Sequence, residues 1–302
     1  MKLQGRYILI GISLLIIVSG LTWRVFSLHV FEQDFLRYEG ERRVIRIVEM
    51  PAHRGMIMDR NNEPIAISTP VDSVWMNPKE FDPKHSKVLA LAAILDVLPE
   101  QLIEKANNNV GREFVYLQRQ VTPTVAEQIQ SLEMPGVHLK SEYKRYYPAG
   151  EVAAHIIGFT DIDGQGKEGL ELAFDHHLQG LVGRKRVIKN RRGGEVQILA
   201  GLQEMRSGQD VTLSIEQRLQ YLAYRELKAA VAAYNAVAGS AVVLDVETGE
   251  VLAMVNQPSF NPNVRIKSRD GRYRNRAVTD VFEAGSVLKP LSILSALQHD
   301  QV

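Results

Sequence analysis

Between Arg6 and Arg24 the chain runs for seventeen residues, Tyr7 to Trp23, without a charged side chain. That run constrains everything after it. As a helix it would span roughly 26 Å, enough for a bilayer core if the flanking arginines snorkel and Trp23 sits at the interface. A cleaved signal peptide fits poorly, because the run is longer than a usual signal core and no Ala-x-Ala site follows, the first alanine being Ala52. A buried core helix fits no better at a terminus behind a basic hexapeptide. The reading is an uncleaved single-pass anchor. Lys2 and Arg6 then mark residues 1–6 as a cytoplasmic tail, with the remainder across the membrane.

Composition narrows the chemistry. There is no cysteine among the 302 residues, so disulfides, thiol catalysis and cysteine-ligated metals are excluded. A formal net charge of +1 gives no reason to expect nucleic acid as a partner. Phe31 to Arg46 is charged and reads as a helix leading away from the anchor. The segment Arg54-Gly55-Met56-Ile57-Met58-Asp59-Arg60-Asn61 reads as a hairpin whose Arg and Asp pair with each other, with Gly55 at a tight backbone position and Asp59 opening a turn.

Val88, Leu91, Ala92, Leu95 and Leu98 recur at helical spacing until Pro99 interrupts, and Val125 to Leu132 predicts another short helix. His155 reads as a packed residue, since no second His, Asp or Glu stands at metal-ligand spacing on a shared element. No metal or other cofactor is expected. Asp161-Ile162-Asp163-Gly164 opens like a calcium loop but lacks the bidentate Glu farther along. The glycines near Gly180 and at Gly193-Gly194 read as turns of an extended, β-rich domain.

From Gln209 the texture changes. Ser214 and Gln217 stand in capping-box register, and Ile215, Leu219, Leu222, Leu227, Ala230 and Ala233 give a helical apolar face. Ala241 to Val246 and Val251 to Val255 predict a hairpin turning at Glu247-Thr248-Gly249, with the helices on either side in sequence as its cover. The loop from Pro258 to Thr279 holds six basic residues, from Arg265 to Arg276, against Asp270. It reads as a solvated loop, with anionic lipid or substrate carboxylates as the sharper alternative.

The chemistry lies in Glu283-Ala284-Gly285-Ser286-Val287-Leu288-Lys289-Pro290. Gly285 permits a sharp turn, and Pro290 is tolerated only in a first helical turn. Ser286 is thereby placed near a helix N-terminus, with the Lys289 amine on the same face. Ser-x-x-Lys alone is weak: a chain like this holds about one by chance, and a second stands at Ser141-Glu142-Tyr143-Lys144.

Taken together, these segments resemble the class B penicillin-binding proteins, in particular the division-specific, FtsI-like branch. The resemblance runs through the anchor; Arg54 to Asn61; Arg145-Tyr146-Tyr147-Pro148 with Ala154-His155; Gly166-Lys167-Glu168-Gly169-Leu170-Glu171; Leu244 to Met254; Pro258-Ser259-Phe260-Asn261-Pro262; Arg274 to Val278; and the Ser286 segment. It implies an α+β chain of tail (1–6), transmembrane anchor (7–23), extended β-rich pedestal or dimerisation domain (24–208), and the first part of a β-lactamase-like transpeptidase domain (209–302). Ser286 would be the acyl-ester nucleophile of a peptidoglycan D,D-transpeptidase and the target of β-lactams. Lys289 would be the general base, its amine kept neutral by burial or cationic neighbours. Arg54, Gly55, Asp59, Arg60, Arg145, His155, Glu168 and Glu171 would serve the pedestal, structurally or toward partners.

The partners implied are peptidoglycan stem peptides, the lipid-linked precursor, a SEDS-type glycan polymerase and other divisome proteins, at the septum on the outer face of the inner membrane. One departure stands out. The family carries Ser-x-Asn and Lys-Thr-Gly after the nucleophile, whereas this sequence ends thirteen residues beyond Lys289 and holds no Lys-Thr-Gly. These 302 residues are therefore expected to be inactive by themselves. A non-catalytic anchored pedestal and a β-lactam sensor are the rivals, the latter disfavoured by the single span.

Overall fold

The computed structural model of the protein describes residues 2–33, 45–189, 195–264 and 271–299. In chain order the strands are β1 (Ile45–Met50), β2 (Ile57–Met58), β3 (Pro64–Met76), β4 (Val115–Val121), β5 (Val137–Tyr146), β6 (Gly183–Lys189), β7 (Glu195–Gln203), β8 (Val211–Thr212), β9 (Gly239–Leu244) and β10 (Val251–Gln257). The chain divides into two units, Met1–Met50 with Val182–Met205, and Pro51–Leu181 with Arg206–Val302.

The first unit holds the helix Lys2–Val30 and an antiparallel sheet in the order β1–β6–β7. The helix extends past the uncharged run on both sides, since no proline or cap stops it. Its stretch Gly11–Val30 has mean hydropathy 1.7 and apolar side chains open to the surroundings, as suits a single-pass membrane anchor. Trp23 and Phe26 lie ring to ring at 6.2 Å near its end, and Arg24 pairs with Glu32 at 2.9 Å. Most of the helix expected over Phe31 to Arg46 lies outside the described residues.

In the second unit β3 is the backbone of a five-stranded sheet. It pairs with β2 at its start, with β4 at its end and with β5 from Ile67 to Met76, while β2 pairs in parallel with β8. The helices Val88–Ile94, Pro99–Asn107 and Pro123–Leu132 bury Val88, Leu91, Leu102 and Ile129 in one core with Val74 and Met76 of β3. Leu98 is exposed: the first helix stops at Ile94 and the next starts on Pro99, so Leu98 falls outside the helical period. A second core gathers Ile57, Ile65, Tyr147, Ile157 and Leu178. Beside it, Gly158 takes φ +75°, and a Cβ there would lie 1.9 Å from the Glu168 carbonyl oxygen, so only glycine fits.

The helix Gln217–Ala233 covers one face of the β9–β10 hairpin, where Ala253 and Val255 are buried. It begins without the Ser214 box, because the Ser214 hydroxyl donates to the Val251 carbonyl instead (2.8 Å). The buried stripe also differs from the expected one. Gln220 and Tyr224 face inward while Leu222, Ala230 and Ala233 are exposed. The Gln220 amide explains the choice: it donates to the carbonyls of Val152 (2.7 Å) and Met254 (2.8 Å) and accepts from the Met254 N–H (2.8 Å). The helix Lys289–Gln298 leaves Leu291, Ile293, Leu294 and Leu297 exposed and does not supply the second cover. Val242 and Leu244 of β9 stay exposed as well.

Candidate active site and its supports

Gly285, at φ +56°, opens a tight 3-10 turn, Gly285–Leu288, that runs directly into the helix Lys289–Gln298. Ser286 thus stands in the turn just before the α-helix, and its carbonyl accepts the Lys289 N–H. Pro290 occupies the first helical turn, where its missing N–H costs nothing. Both the Ser286 and Lys289 side chains are exposed, and among the described residues neither has a hydrogen-bond partner. The burial expected around the Lys289 amine is not provided by the described residues.

The second Ser-x-x-Lys is a different object. Ser141 and Lys144 lie on β5, where residues three apart point to opposite faces. Ser141 donates to Asp72 (2.9 Å), and Glu142 accepts from Ser73 (2.6 Å), Arg119 (3.1 Å) and the Tyr116 hydroxyl. Burial and the neighbouring Glu142 carboxylate push Tyr116 up to about 12. This segment is strand framework.

The hairpin expected over Arg54 to Asn61 does not pair its own charges. Arg54 reaches 117 positions ahead: Nε donates to Glu171 (2.8 Å), one terminal nitrogen to the Glu171 carbonyl (2.9 Å) and the other to Asp175 (2.7 Å). Arg145 closes the group, donating to the other Glu171 oxygen (2.6 Å), to the Gly55 carbonyl (2.8 Å) and to Ser68 (3.1 Å). Glu171 is fully buried between the two guanidinium groups. A Cβ at Gly55 would meet the Gln209 carbonyl oxygen at 2.0 Å, so this glycine serves a close backbone approach.

Asp59 works between elements. Its carboxylate accepts the N–H groups of Asn61 (2.8 Å) and Glu63 (2.8 Å), and its second oxygen accepts that of Gln217 (3.2 Å) at the start of the helix Gln217–Ala233. Burial alone would raise the Asp59 carboxyl, but the three backbone donors outweigh it and hold it below the ordinary value. The cap that Ser214 does not give comes from 158 positions earlier. Arg60 pairs with Glu250 at 3.3 Å in an exposed contact.

His155 is buried against Phe260. Its Nε2 lies 2.8 Å from the Arg272 carbonyl, so that nitrogen carries the proton and donates. Burial lowers its pKa, the Arg272 carbonyl opposes this, and the Arg276 charge lowers it further. A depressed folded pKa means that the stability due to His155 is full above about pH 6.5 and is lost as pH falls through the lower folded value. Thermal melts of the wild-type chain should therefore show Tm declining below that pH, and His155→Gln should flatten the decline. Equal pH slopes in the two proteins would contradict this.

Glu168 is exposed and stands at the start of the short helix Gly169–Ala173, outside the Glu171 network. Asp161 accepts the N–H groups of Asp163 (2.9 Å) and Gln165 (3.0 Å) and pairs with Lys167 (2.9 Å), so the calcium-like loop is closed on its own groups. In the basic loop Arg265, Lys267, Arg269 and Asp270 lie outside the described residues. Arg274 (2.6 Å) and Arg276 (3.0 Å) both pair with Asp280, an acid just beyond the counted loop. Gly193-Gly194 also lies outside the described residues.

Besides Gln220, sequence reasoning missed Asn256, and it gave Asn275 no role of its own within the Arg274 to Val278 segment. Asn256 donates to the Asn275 side chain (2.9 Å) and accepts from the Ala277 N–H (2.8 Å). The signal was a pair of amides, Asn256 and Gln257, ending an otherwise apolar strand. A cleft of about 1210 Å³, lined in part by His155, Phe159, Leu170, Met254, Tyr273 and Val278, adjoins these contacts.

Residues 49–213 match the penicillin-binding protein dimerisation domain, and residues 239–302 match the penicillin-binding protein transpeptidase domain. The peptidoglycan D,D-transpeptidase FtsI of Escherichia coli K12 is 43% identical over 305 residues, covering 99% of this chain and 52% of that protein. The probable peptidoglycan D,D-transpeptidase PbpC of Pseudomonas aeruginosa is 42% identical over 293 residues, 97% of this chain and 52% of its own length. The chain thus spans about half the length of the curated relatives it matches.

Among solved structures, a peptidoglycan synthetase from Bifidobacterium adolescentis aligns with a TM-score of 0.58 and 25% identity, over 85% of this chain and 52% of that one. A complex of a penicillin-binding protein with MreC from Helicobacter pylori aligns with a TM-score of 0.63 and 23% identity, over 84% of this chain and 53% of that one, a likeness of fold. With these matches set beside a serine turn that leads into a helix behind a dimerisation-type domain, the chain belongs to the FtsI-type class B penicillin-binding proteins.

Proposed function

We propose that the whole protein of which these residues form part is a serine-type D,D-transpeptidase cross-linking peptidoglycan stem peptides at the division septum. The observation that carries this reading is the Gly285–Leu288 turn entering the helix Lys289–Gln298, inside the stretch that matches a transpeptidase domain. Ser286 Oγ attacks the carbonyl of the D-Ala–D-Ala bond and passes its proton to the Lys289 amine. The carbon–nitrogen bond breaks and the departing D-alanine takes up that proton. An acceptor amine then attacks the acyl carbon, a new amide bond forms as the ester C–O bond breaks, and the amine's proton returns to Ser286 Oγ. A β-lactam follows the first half of this path: its ring amide opens, and the acyl group stays on Ser286.

In the same reading residues 24–208 are a pedestal and 209–302 open the catalytic domain. Lys2 and Arg6 keep residues 1–6 in the cytoplasm, placing the bulk in the periplasm. The lipid-linked precursor supplies substrate, and a SEDS-type polymerase with other divisome proteins meets the pedestal. Labelling with a fluorescent penicillin tests the core of this. The full-length polypeptide should label covalently, Ser286→Ala should abolish the band, and residues 1–302 alone should not label. Persistent labelling of the Ser286→Ala protein would overturn the assignment.

A further inference from the structure

From Arg184 to Arg192 the sequence holds six basic residues and no acid. Its described part is β6, the central strand of the sheet β1–β6–β7. Across that sheet Arg186 stands opposite Ile47, and Arg184 opposite Glu49. Directly paired residues share a face, so both arginines lie on one side with Ile47 and Glu49. Of the alternate positions of β6, Gly183 and Val187 are buried and Lys185 between them is half-buried, whereas Arg184 and Arg186 are exposed, which makes the arginine side the outward one. Ile47 on it is 60% exposed. Arg184 meets Glu49 at 3.4 Å with both side chains more than half exposed, a pair that water screens heavily. Arg186 has no acid within ion-pair distance among the described residues. An outward face with two guanidinium groups around an exposed isoleucine combines charge and apolar area, as lipid headgroup regions require.

Position favours the same partner. The sheet belongs to the same unit as the anchor helix. Residues 31–44 join Val30 at the helix end to Ile45 of β1, so that strand starts within about 50 Å of the helix end. We infer that the outward face of β6, with Arg184, Arg186 and Ile47, binds anionic phospholipid headgroups of the membrane that holds the anchor. The partner class is a phosphate-bearing lipid surface, and this surface is independent of the Ser286 chemistry.

The absence of cysteine gives a clean test. An Ile47→Cys chain carrying a single environment-sensitive fluorophore is placed in nanodiscs that contain headgroup-nitroxide lipid. One set is made of phosphatidylcholine, the other of phosphatidylcholine with phosphatidylglycerol. Quenching should be about twofold greater in the anionic discs and should fall to the neutral level in about 0.5 M salt, where screening is nearly complete at these distances. It should fall equally in the Arg184→Gln, Arg186→Gln double variant, whose melting temperature checks that the sheet is intact. Equal quenching in both lipids overturns the inference, as does quenching that survives loss of both arginines. So does an unquenched label in either disc, which would leave this face to an acidic protein partner.

Discussion

Glu171→Ala should destabilise the second unit by about 3–5 kcal/mol, the expected loss when one partner of a buried charged network is removed. The reason is geometric. Arg54 and Arg145 both point their Nε–H groups at this one carboxylate, which has no exposure of its own. Without it Arg145 keeps only a carbonyl and a hydroxyl, and one of its terminal nitrogens already has no partner. Arg54 retains Asp175, which is partly exposed and so the weaker anchor. The prediction concerns breaking the network, not its worth against an apolar core, because the desolvation of four charged groups offsets much of the attraction. Against a typical domain stability of about 5–15 kcal/mol, the loss would leave much of the population unfolded under mild denaturant. Urea titrations followed by Trp75 fluorescence should show the midpoint falling sharply, with Glu171→Gln between wild type and alanine. A shift under about 1 kcal/mol would show that water enters and replaces the carboxylate.

The second large effect concerns Lys289. If its amine takes the Ser286 proton, Lys289→Ala in the full-length protein should slow penicillin acylation by about 10²–10⁴-fold, the usual worth of a positioned base. Lys289→Arg should not restore the rate, since a guanidinium keeps its proton at any working pH. Time courses of labelling at fixed drug concentration would measure both. Ser141→Ala and Lys144→Ala should leave the rate unchanged, because those side chains belong to opposite faces of a strand and not to a turn entering a helix. Acylation of the alanine variant within a few-fold of wild type would remove Lys289 from the role of base.

The local rules were legible and the long-range ones were not. The anchor, the helix Val88–Ile94 and the β9–β10 hairpin each announce themselves through period and punctuation. Pro290 and Gly285 placed Ser286 at the entrance of a helix because the signal lies within five residues. Arg54, Asp59 and Gln220 were harder. A sequence shows that Arg54 and Asp59 are near one another, and proximity suggested a pair. The fold instead sends Arg54 to Glu171 and Asp59 to the end of a distant helix. Gln220 was passed over for Leu222 because hydrophobic period counts carbon. What decided the buried face was a set of strand-edge and loop carbonyls and N–H groups needing an amide.

The parallel pairing of β2 with β8 has a consequence in time. Met56 donates its N–H to Asp210, 154 positions later, and Ile57 then lies beside Val211. The core around Val74 and Leu91 needs nothing beyond β5, so it can collapse as soon as residue 146 has been made. The far edge of β2 must wait for the whole remaining stretch, a closure of high contact order and correspondingly slow. When it comes, the segment running back from that edge brings Asp59 to the first turn of the helix Gln217–Ala233. The late closure of that edge and the seating of the helix Gln217–Ala233 are therefore linked through a single carboxylate.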